Sequence, residues 1–148
     1  MKMNHLRSGS GKPLLLIHGL GGSARSWSTI CTALAERRDL IAVDLPGFGD
    51  TPPLAGEKSI RSLSDAVTSF IDAQGLRGVD VVGSSMGARL LLELARRGGV
   101  VGSVVSFNPG GFWRGWERHA FYFSIWLSIC AVRLFQPAAG RLGTAARG

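Results

Sequence analysis

A serine lies at the centre of the motif Gly83-Ser84-Ser85-Met86-Gly87, which connects an apolar run to a segment with helical periodicity. A serine hydroxyl is a weak nucleophile. It becomes effective where a sharp strand-to-helix turn exposes it and directs the next backbone N–H at the reacting carbonyl oxygen. Such a turn needs glycines where the backbone and the helix crowd each other. The motif therefore predicts that Ser85 attacks acyl groups and that the N–H of Met86 helps to stabilise the resulting oxyanion.

Two upstream segments also place glycines and polar residues directly after short apolar runs. The run over 14–17 leads into His18-Gly19-Leu20, and the run over 40–43 leads into Asp44, the first residue of a D-x-x-G-x-G pattern. Short, fully apolar runs are typical of strands buried in parallel sheets. We expect all three motifs to lie at the carboxyl ends of strands, where open α/β sheets place their sites.

In their order and spacing, these three motifs resemble the α/β-hydrolase fold family over residues 3–135. The resemblance implies a serine hydrolase of the esterase type, with Ser85 as nucleophile and the backbone N–H groups of Met86 and Leu20 as the oxyanion hole. It implies no organic cofactor and no metal. It also implies that the loops at the site are shaped by His18, Gly19, Gly83, Gly87 and Asp44.

Strand and helix patterns alternate along the chain, which predicts an α/β fold with a mostly parallel sheet and helices on both faces. Strands are predicted over 3–7, 14–17, 40–43, 79–82 and 100–107. Helices are predicted over 25–37, from the cap Ser59 to about 73, and over 86–97. We expect the hydrolase core to occupy residues 1–111. Residues 112–148 are expected to form the start of a cap, or lid, segment and a tail.

The same resemblance predicts what this sequence lacks. In the family the triad runs serine, acid, histidine, and the last two usually follow the seventh and eighth strands. This sequence ends after the sixth strand of that pattern, and Asn108, near the position where some relatives carry the acid, cannot ionise. The histidines are His5 on an edge strand, His18 in the loop and His119 in the cap segment, and we assign none of them as the base. A truncated enzyme with weak activity is therefore expected.

A dinucleotide-binding domain is the main alternative. Gly19, Gly21 and Ala24 fit G-x-G-x-x-A after a strand, and Asp44 follows where such domains place the acid that binds the ribose. His18 has no role in that pattern, however, and the motif around Ser85 would be left unexplained. The hydrolase is the preferred interpretation, with a dinucleotide-binding domain or a non-catalytic fragment as alternatives.

The amino-acid composition indicates which molecules the chain could bind and in which compartment it lies. The net charge is +7, but the arginines are scattered and do not form a stripe with aromatic residues, which argues against a nucleic-acid partner. Cys31 and Cys130 lack metal-ligand spacing and indicate buried thiols in a reducing, cytoplasmic compartment. The N-terminus lacks the apolar region of a secretion signal.

The segment after residue 107 is aromatic, and residues 120–132 carry no charge. That run is shorter than the roughly 20 residues of a bilayer span. As part of a cap it favours a small hydrophobic acyl or aromatic substrate, and a membrane-surface helix is the alternative. The uncharged strand 100–107 has no partner strand in the sequence, so self-association is also predicted.

Overall fold

The computed structural model describes residues 2–110 and 114–145, with side chains described through residue 131. The chain divides into two compact units, residues 1–110 and residues 111–148. The predicted cap segment therefore has residues 112–113 and 146–148 outside the described part. The described part of the second unit consists of residues 114–115 and one long helix. The first unit is described first.

The first unit contains a sheet of five strands in its described residues. The strands are β1 (His5–Ser8), β2 (Lys12–Ile17), β3 (Arg38–Val43), β4 (Val79–Ser84) and β5 (Val101–Phe107). Their order across the sheet is β1-β3-β2-β4-β5. The last four strands run parallel to one another, and β1 alone is antiparallel. The mostly parallel sheet predicted from the sequence is confirmed.

The strand order creates a crevice beside the central strand. The chain passes from β2 to β3 on one side and then crosses to β4 on the other side of β2. Connections that leave neighbouring strands in opposite directions open a crevice at their carboxyl ends. Here that crevice lies where β2 leads into His18 and β4 leads into Ser85.

Helices cover both faces of the sheet, as predicted. The structure has a short 3-10 helix (Ala24–Trp27), then α1 (Ser28–Leu34), α2 (Ile60–Ala73) and α3 (Met86–Arg97). Leu15 and Ile17 face a core that includes buried residues of α2 and α3. Their neighbours Leu14 and Leu16 face the opposite core, which contains Trp27. Successive residues of a strand point to opposite faces, so β2 is buried on both sides and needs an apolar side chain at each position.

The first predicted helix, 25–37, is shorter and less regular than expected. It begins as the 3-10 turn, and α1 ends at Leu34. The next carbonyl, that of Ala35, accepts a hydrogen bond from the backbone N–H of Ser10 at 3.1 Å. The turn between β1 and β2 thus binds the group that would have continued the helix, and β3 begins at Arg38.

The second helix follows its sequence signals closely. Ser59 caps α2: its side chain accepts from the N–H of Ser62 at 3.2 Å, and the Ser62 hydroxyl accepts from the N–H of Ser59 at 2.9 Å. Reciprocal bonds of this kind satisfy two of the N–H groups that a helix start leaves free. The helix packs on the sheet through one apolar face, which includes Val67 and Ile71.

The second unit contains α4 (Trp116–Ala145). Its aromatic side chains are exposed within the described residues, among them Trp116, Tyr122, Phe123 and Trp126. No helix in the described part of the chain combines the length and apolarity needed to cross a bilayer. The assignment of this segment to a cap stays a prediction.

The outer strand β5 and the residue before it contain four valines, of which one is exposed. Val100 precedes the strand and is buried, and Val101 and Val104 pack partly against the core. Val105 and Phe107, on the opposite face, are 47% and 53% exposed. Within the described sheet, β5 pairs only with β4. The exposed apolar surface of this strand therefore lies on one face, at Val105 and Phe107.

We propose that the chain self-associates through this edge, because an unpaired strand without charged side chains recruits other chains. Val105→Lys is expected to increase the monomer fraction, since lysine on an edge strand opposes strand pairing. Light scattering across a dilution series measures the change. Leu92→Lys, at an exposed apolar position on α3, is the matched control. Equal behaviour of the two variants, or a monomeric wild type, would reject this edge as the contact.

Candidate active site

Ser85 occupies the strained turn that its motif predicts. It directly follows β4 and is the N-cap of α3, with φ 52° and ψ −111°. A positive φ is unfavourable for a residue with a side chain, and such strain is concentrated at functional sites. The side chain is exposed, and the backbone N–H donates to the carbonyl of Phe107 at 2.9 Å. The turn is thereby fixed to the end of β5.

Two glycines let the turn close. A Cβ built on Gly83 would lie 2.7 Å from the carbonyl carbon of Gly87. A Cβ on Gly87 would lie 2.6 Å from the carbonyl oxygen of His18 and would also overlap the carbonyl of Ile17. All of these neighbours are backbone atoms, which cannot move aside as a flexible side chain can. Both positions therefore exclude any side chain.

The loop after β2 reaches the same place. A Cβ built on Gly19 would lie 3.1 Å from the Cβ of Ser85 and 3.7 Å from its Oγ. Leu20 follows Gly19 and is exposed. Met86 begins α3, where the first N–H groups of a helix have no intrahelical acceptor. The two N–H groups predicted for the oxyanion hole thus belong to the two segments that meet at Ser85.

His18 is buried beneath this loop and both of its ring nitrogens are engaged. The backbone N–H of Leu45 donates to Nε2 at 3.0 Å, which requires that nitrogen to be unprotonated. Nδ1 then carries the proton and donates to the carbonyl of Gly19 at 2.7 Å. The ring also meets Phe48 edge to face. His18 therefore connects the loop after β2 to the loop after β3, and it cannot take a proton from Ser85.

The other groups considered from the sequence lie elsewhere. His5 lies opposite Val43 on β3, at the end of the sheet where the parallel strands have their carboxyl ends. However, β1 is three strand spacings away from β4, a distance of about 14 Å. Asn108 follows β5 with a positive φ of 45° and is exposed. His119 lies in α4, within the second unit. Residues 2–110 thus contain two histidines, and neither is placed to activate Ser85.

Asp44 is buried and its carboxylate accepts three hydrogen bonds. The donors are the N–H of Ala24 at 2.6 Å, the N–H of Asp50 at 2.9 Å and the side-chain amide of Asn4 at 2.8 Å. Burial raises the pKa of Asp44, but these bonds outweigh it and hold the pKa below the usual value. The carboxylate fastens three segments together, which leaves it poorly placed to bind a ribose.

We call the turn over residues 83–87, which carries Ser85, the elbow. A pocket of about 350 Å³ opens beside it, within the first unit. It is lined by the loop after β2, the 3-10 helix and the ends of β4 and β5, with the residues His18, Gly19, Ser26, Trp27, Ser84 and Phe107. Pockets of this size accept small molecules. The arrangement combines an exposed serine, a helix N-terminus and an adjoining cavity, which suits the binding of a reactive carbonyl compound.

Sequence reasoning missed three contributors to this site. The carbonyl of Phe107 fixes the elbow, yet any residue there supplies a carbonyl and its type gives no signal. Trp27 lies in the helix predicted over 25–37, and that prediction gave it no role at the site, although it lines the pocket. Asn4 holds Asp44 and lies in a segment predicted as a simple edge strand; its backbone N–H also donates to Thr51.

Comparison with known proteins identifies the family of the chain. Residues 12–125 match the family model described as the alpha/beta hydrolase fold, so the chain belongs to that family. It is 32% identical over 117 residues to the dihydrolipoyllysine-residue acetyltransferase component of the acetoin cleaving system from Cupriavidus necator. That match covers 76% of this chain and 30% of that protein.

Two solved structures resemble a large part of the chain. A marine microorganism esterase shares 28% identity with a TM-score of 0.65, and the meta-cleavage product hydrolase CumD shares 33% identity with a TM-score of 0.65. Each match covers 70% of this chain and 40% of the other. The chain thus spans less than half the length of the relatives it matches.

Proposed function

We propose that the chain is the nucleophile-bearing part of a serine hydrolase that acts on an ester or a related acyl substrate. The observation that carries this proposal is the strained, exposed Ser85, set between β4 and α3 and in contact range of the loop at Gly19. The family contains hydrolases with different substrates, and similarity to the relatives named above does not identify the substrate of this chain.

In the proposed reaction Oγ of Ser85 attacks the carbonyl carbon, and the carbonyl oxygen becomes an oxyanion. The N–H groups of Met86 and Leu20 stabilise that charge, which is a large contribution in a site with little water. The serine proton passes to a base, the leaving group departs, and water then hydrolyses the acyl-enzyme. Residues 2–110 supply the nucleophile and the oxyanion hole, and the base and its acid come from outside them.

Residues 2–110 on their own are therefore expected to turn over substrate weakly. Enzymes that have lost a triad member retain a rate about 10³–10⁴ above the uncatalysed reaction, from the oxyanion hole and substrate binding. The pocket beside the elbow favours a small hydrophobic acyl or aromatic group. A cytoplasmic setting is part of the same proposal, and its support is that Cys31 and Cys130 are both free.

A fluorophosphonate probe tests the nucleophile. We expect slow labelling of the full chain at pH 9, where hydroxide substitutes for the base, and loss of at least nine-tenths of it in Ser85→Ala. Ser69→Ala is the matched control, because Ser69 is an exposed serine on α2 outside the pocket, and it should label like the wild type. Mass spectrometry of the labelled peptide reads out the position.

Equal labelling of Ser85→Ala and the wild type would assign the nucleophile to another residue. A folded wild type without labelling would favour the alternative of a non-catalytic fragment. The dinucleotide-binding alternative is not favoured, because Asp44, its ribose ligand, is already bound by three internal donors.

A further inference from the structure

The helix α4 has a broad exposed apolar surface in the part whose side chains the structure describes. Six large apolar side chains there are at least 48% exposed: Trp116, Tyr122, Phe123, Trp126, Leu127 and Ile129. Residues three, four or seven positions apart lie on the same side of a helix. Trp116, Phe123 and Leu127 therefore form one row, and the other three residues form the row beside it. We call these two rows the aromatic surface of α4. Exposed apolar surface of this extent marks a contact site.

The two serines of the same segment form their hydrogen bonds within the helix. The hydroxyl of Ser124 donates to the carbonyl of Phe121 at 2.7 Å, and the hydroxyl of Ser128 donates to the carbonyl of Ser124 at 2.8 Å. Since an unbonded hydroxyl is costly to move out of water, these bonds let the helix enter an apolar medium at lower cost. Glu117 lies nine residues before Trp126, about two and a half turns, and therefore on the opposite side of the helix.

The charges of the second unit are almost all positive. Residues 112–148 contain five arginines and one acidic residue, Glu117, so they contribute +4 of the net charge of +7. Arg114 and Arg118 are exposed on either side of Trp116 in the sequence. A second copy of the chain would bring the same charge to the contact, and like charges repel. A negatively charged partner is therefore favoured over a second copy.

We propose that α4 binds the surface of a bilayer that contains anionic phospholipids. The aromatic surface enters the boundary between headgroups and acyl chains, where tryptophan and tyrosine are favoured because each ring has an apolar body and a polar tip. Arg114 and Arg118 are attracted to the anionic headgroups. The uncharged run at residues 120–132 is shorter than the roughly 20 residues that a span requires, so the helix lies along the surface. This inference does not depend on the role of Ser85.

Sedimentation of the full chain with lipid vesicles tests the electrostatic part of this proposal. We expect binding about tenfold tighter to vesicles with one third phosphatidylglycerol than to vesicles of phosphatidylcholine alone. The double variant Arg114→Gln/Arg118→Gln should lower the affinity for the anionic vesicles about 25-fold, since each arginine near such a surface contributes a factor of about five. Arg61→Gln/Arg89→Gln is the matched control, because it removes two exposed charges from α2 and α3. It should lower the affinity less than about twofold, since salt screens charges that lie away from the contact.

Substitution of Trp126 tests the apolar part. Trp126→Ser should weaken binding to the anionic vesicles about tenfold, because it removes a large apolar side chain from the contact. The shift of tryptophan fluorescence to shorter wavelength on vesicle binding should also be smaller in this variant. Leu92→Ser, at an exposed apolar position on α3 in the first unit, is the matched control and should bind like the wild type. All four variants change exposed residues, and far-UV circular dichroism checks that each keeps its helix content.

Three results would overturn the inference: no binding to the anionic vesicles, equal affinity for the two vesicle compositions, or equal affinity of Trp126→Ser and Leu92→Ser. A chain that ignores vesicles but forms dimers, and whose dimers Trp126→Ser dissociates in light scattering, would instead assign the aromatic surface to a contact between copies. These outcomes are distinct from failure of the proposed function, because none of them depends on labelling of Ser85.

Discussion

Gly87→Ala is expected to lower the free energy of unfolding by about 3 kcal/mol, the upper end of the cost of overpacking a close-packed site. The added methyl group would overlap backbone carbonyls of Ile17 and His18 at the end of the central strand. Since β2 is buried on both faces, it cannot shift without disturbing both cores. Relief must come from displacement of α3, which carries Met86 and follows Ser85.

The Gly87→Ala substitution should therefore lower the reactivity of Ser85 as well as the stability of the fold. A displacement of about 1 Å is enough to lower a reaction rate by a factor of about 10². The rate of phosphonate labelling of Ser85 should therefore fall by about the same factor in the folded fraction of the Gly87→Ala variant. Urea denaturation and labelling rates measure the two effects. Gly56→Ala is the matched control, because a Cβ there meets open space and its backbone φ is not positive. It should change stability by less than about 0.5 kcal/mol.

A Gly87→Ala variant as stable as Gly56→Ala would show that the close approach to β2 is not rigid. The elbow would then owe its shape to Ser85 and Gly83 rather than to contact between the helix and the central strand. Loss of labelling at unchanged stability would instead separate the geometry of the nucleophile from the packing of the fold.

The sequence predicted the elbow well, and the reason is physical. A turn that places backbone against backbone excludes side chains, so Gly83 and Gly87 are required by sterics and appear directly in the sequence. The buried strands were predicted equally well, because a strand with two covered faces must be apolar at successive positions. Steric exclusion and burial act on single positions, so each of them restricts the residue type at its own position in the sequence.

The register of β5 could not be predicted in the same way. Pairing with β4 shifts by one residue, from Val79 opposite Val101 to Val81 opposite Val104, and this bulge brings Phe107 opposite Ser84. Gly102 lies in the bulge, where a Cβ would come within 2.5 Å of the Gly78 carbonyl. An isolated glycine in a strand pattern indicates a bulge. The position that the bulge gives to Phe107, however, depends on how β5 pairs with the neighbouring strand β4.

Asp44 illustrates a different limit. The sequence placed it correctly at the end of a strand, and two chemistries fitted that position: a ribose ligand and a loop-shaping residue. The choice depends on donors from Asn4 and Ala24, which are far away along the chain and approach only in the fold. Long-range hydrogen bonds of this kind leave no local pattern.

Removing this carboxylate is expected to have the largest effect of any single substitution considered. Asp44→Ala should lower the free energy of unfolding by about 4 kcal/mol, because it leaves the buried N–H of Ala24, the N–H of Asp50 and the Asn4 amide without their acceptor. Asp44→Asn keeps the shape of the side chain, but its amide presents an N–H₂ group to one of the N–H donors. The expected loss of unfolding free energy is about half of that in Asp44→Ala. Asp72→Asn is the control, since its ion pair with Arg77 is at the surface and is worth less than about 1 kcal/mol.

The pH dependence identifies the charge as the cause. The folded pKa of Asp44 lies below the unfolded value of about 3.9. The carboxylate therefore stabilises the fold above pH 4, and this contribution is lost as the pH falls through the folded pKa. The stability difference between wild type and Asp44→Asn, followed by urea denaturation from pH 7 to pH 2.5, should be constant above about pH 5 and should narrow below pH 4.

Other carboxylates do not obscure this difference. Hydrogen bonds from Arg7 to Asp39 and from Lys12 to Asp80 also lower the pKa values of those acids, but both are present in the wild type and in the variant. Their acid titration therefore cancels when the two proteins are compared. A gap between wild type and Asp44→Asn that stays constant down to pH 2.5 would show that shape and not charge holds the three segments together. A gap that narrows, accompanied by slower labelling of Ser85 in Asp44→Asn at pH 7, would connect this buried carboxylate to the loop at Gly19 through the N–H of Ala24.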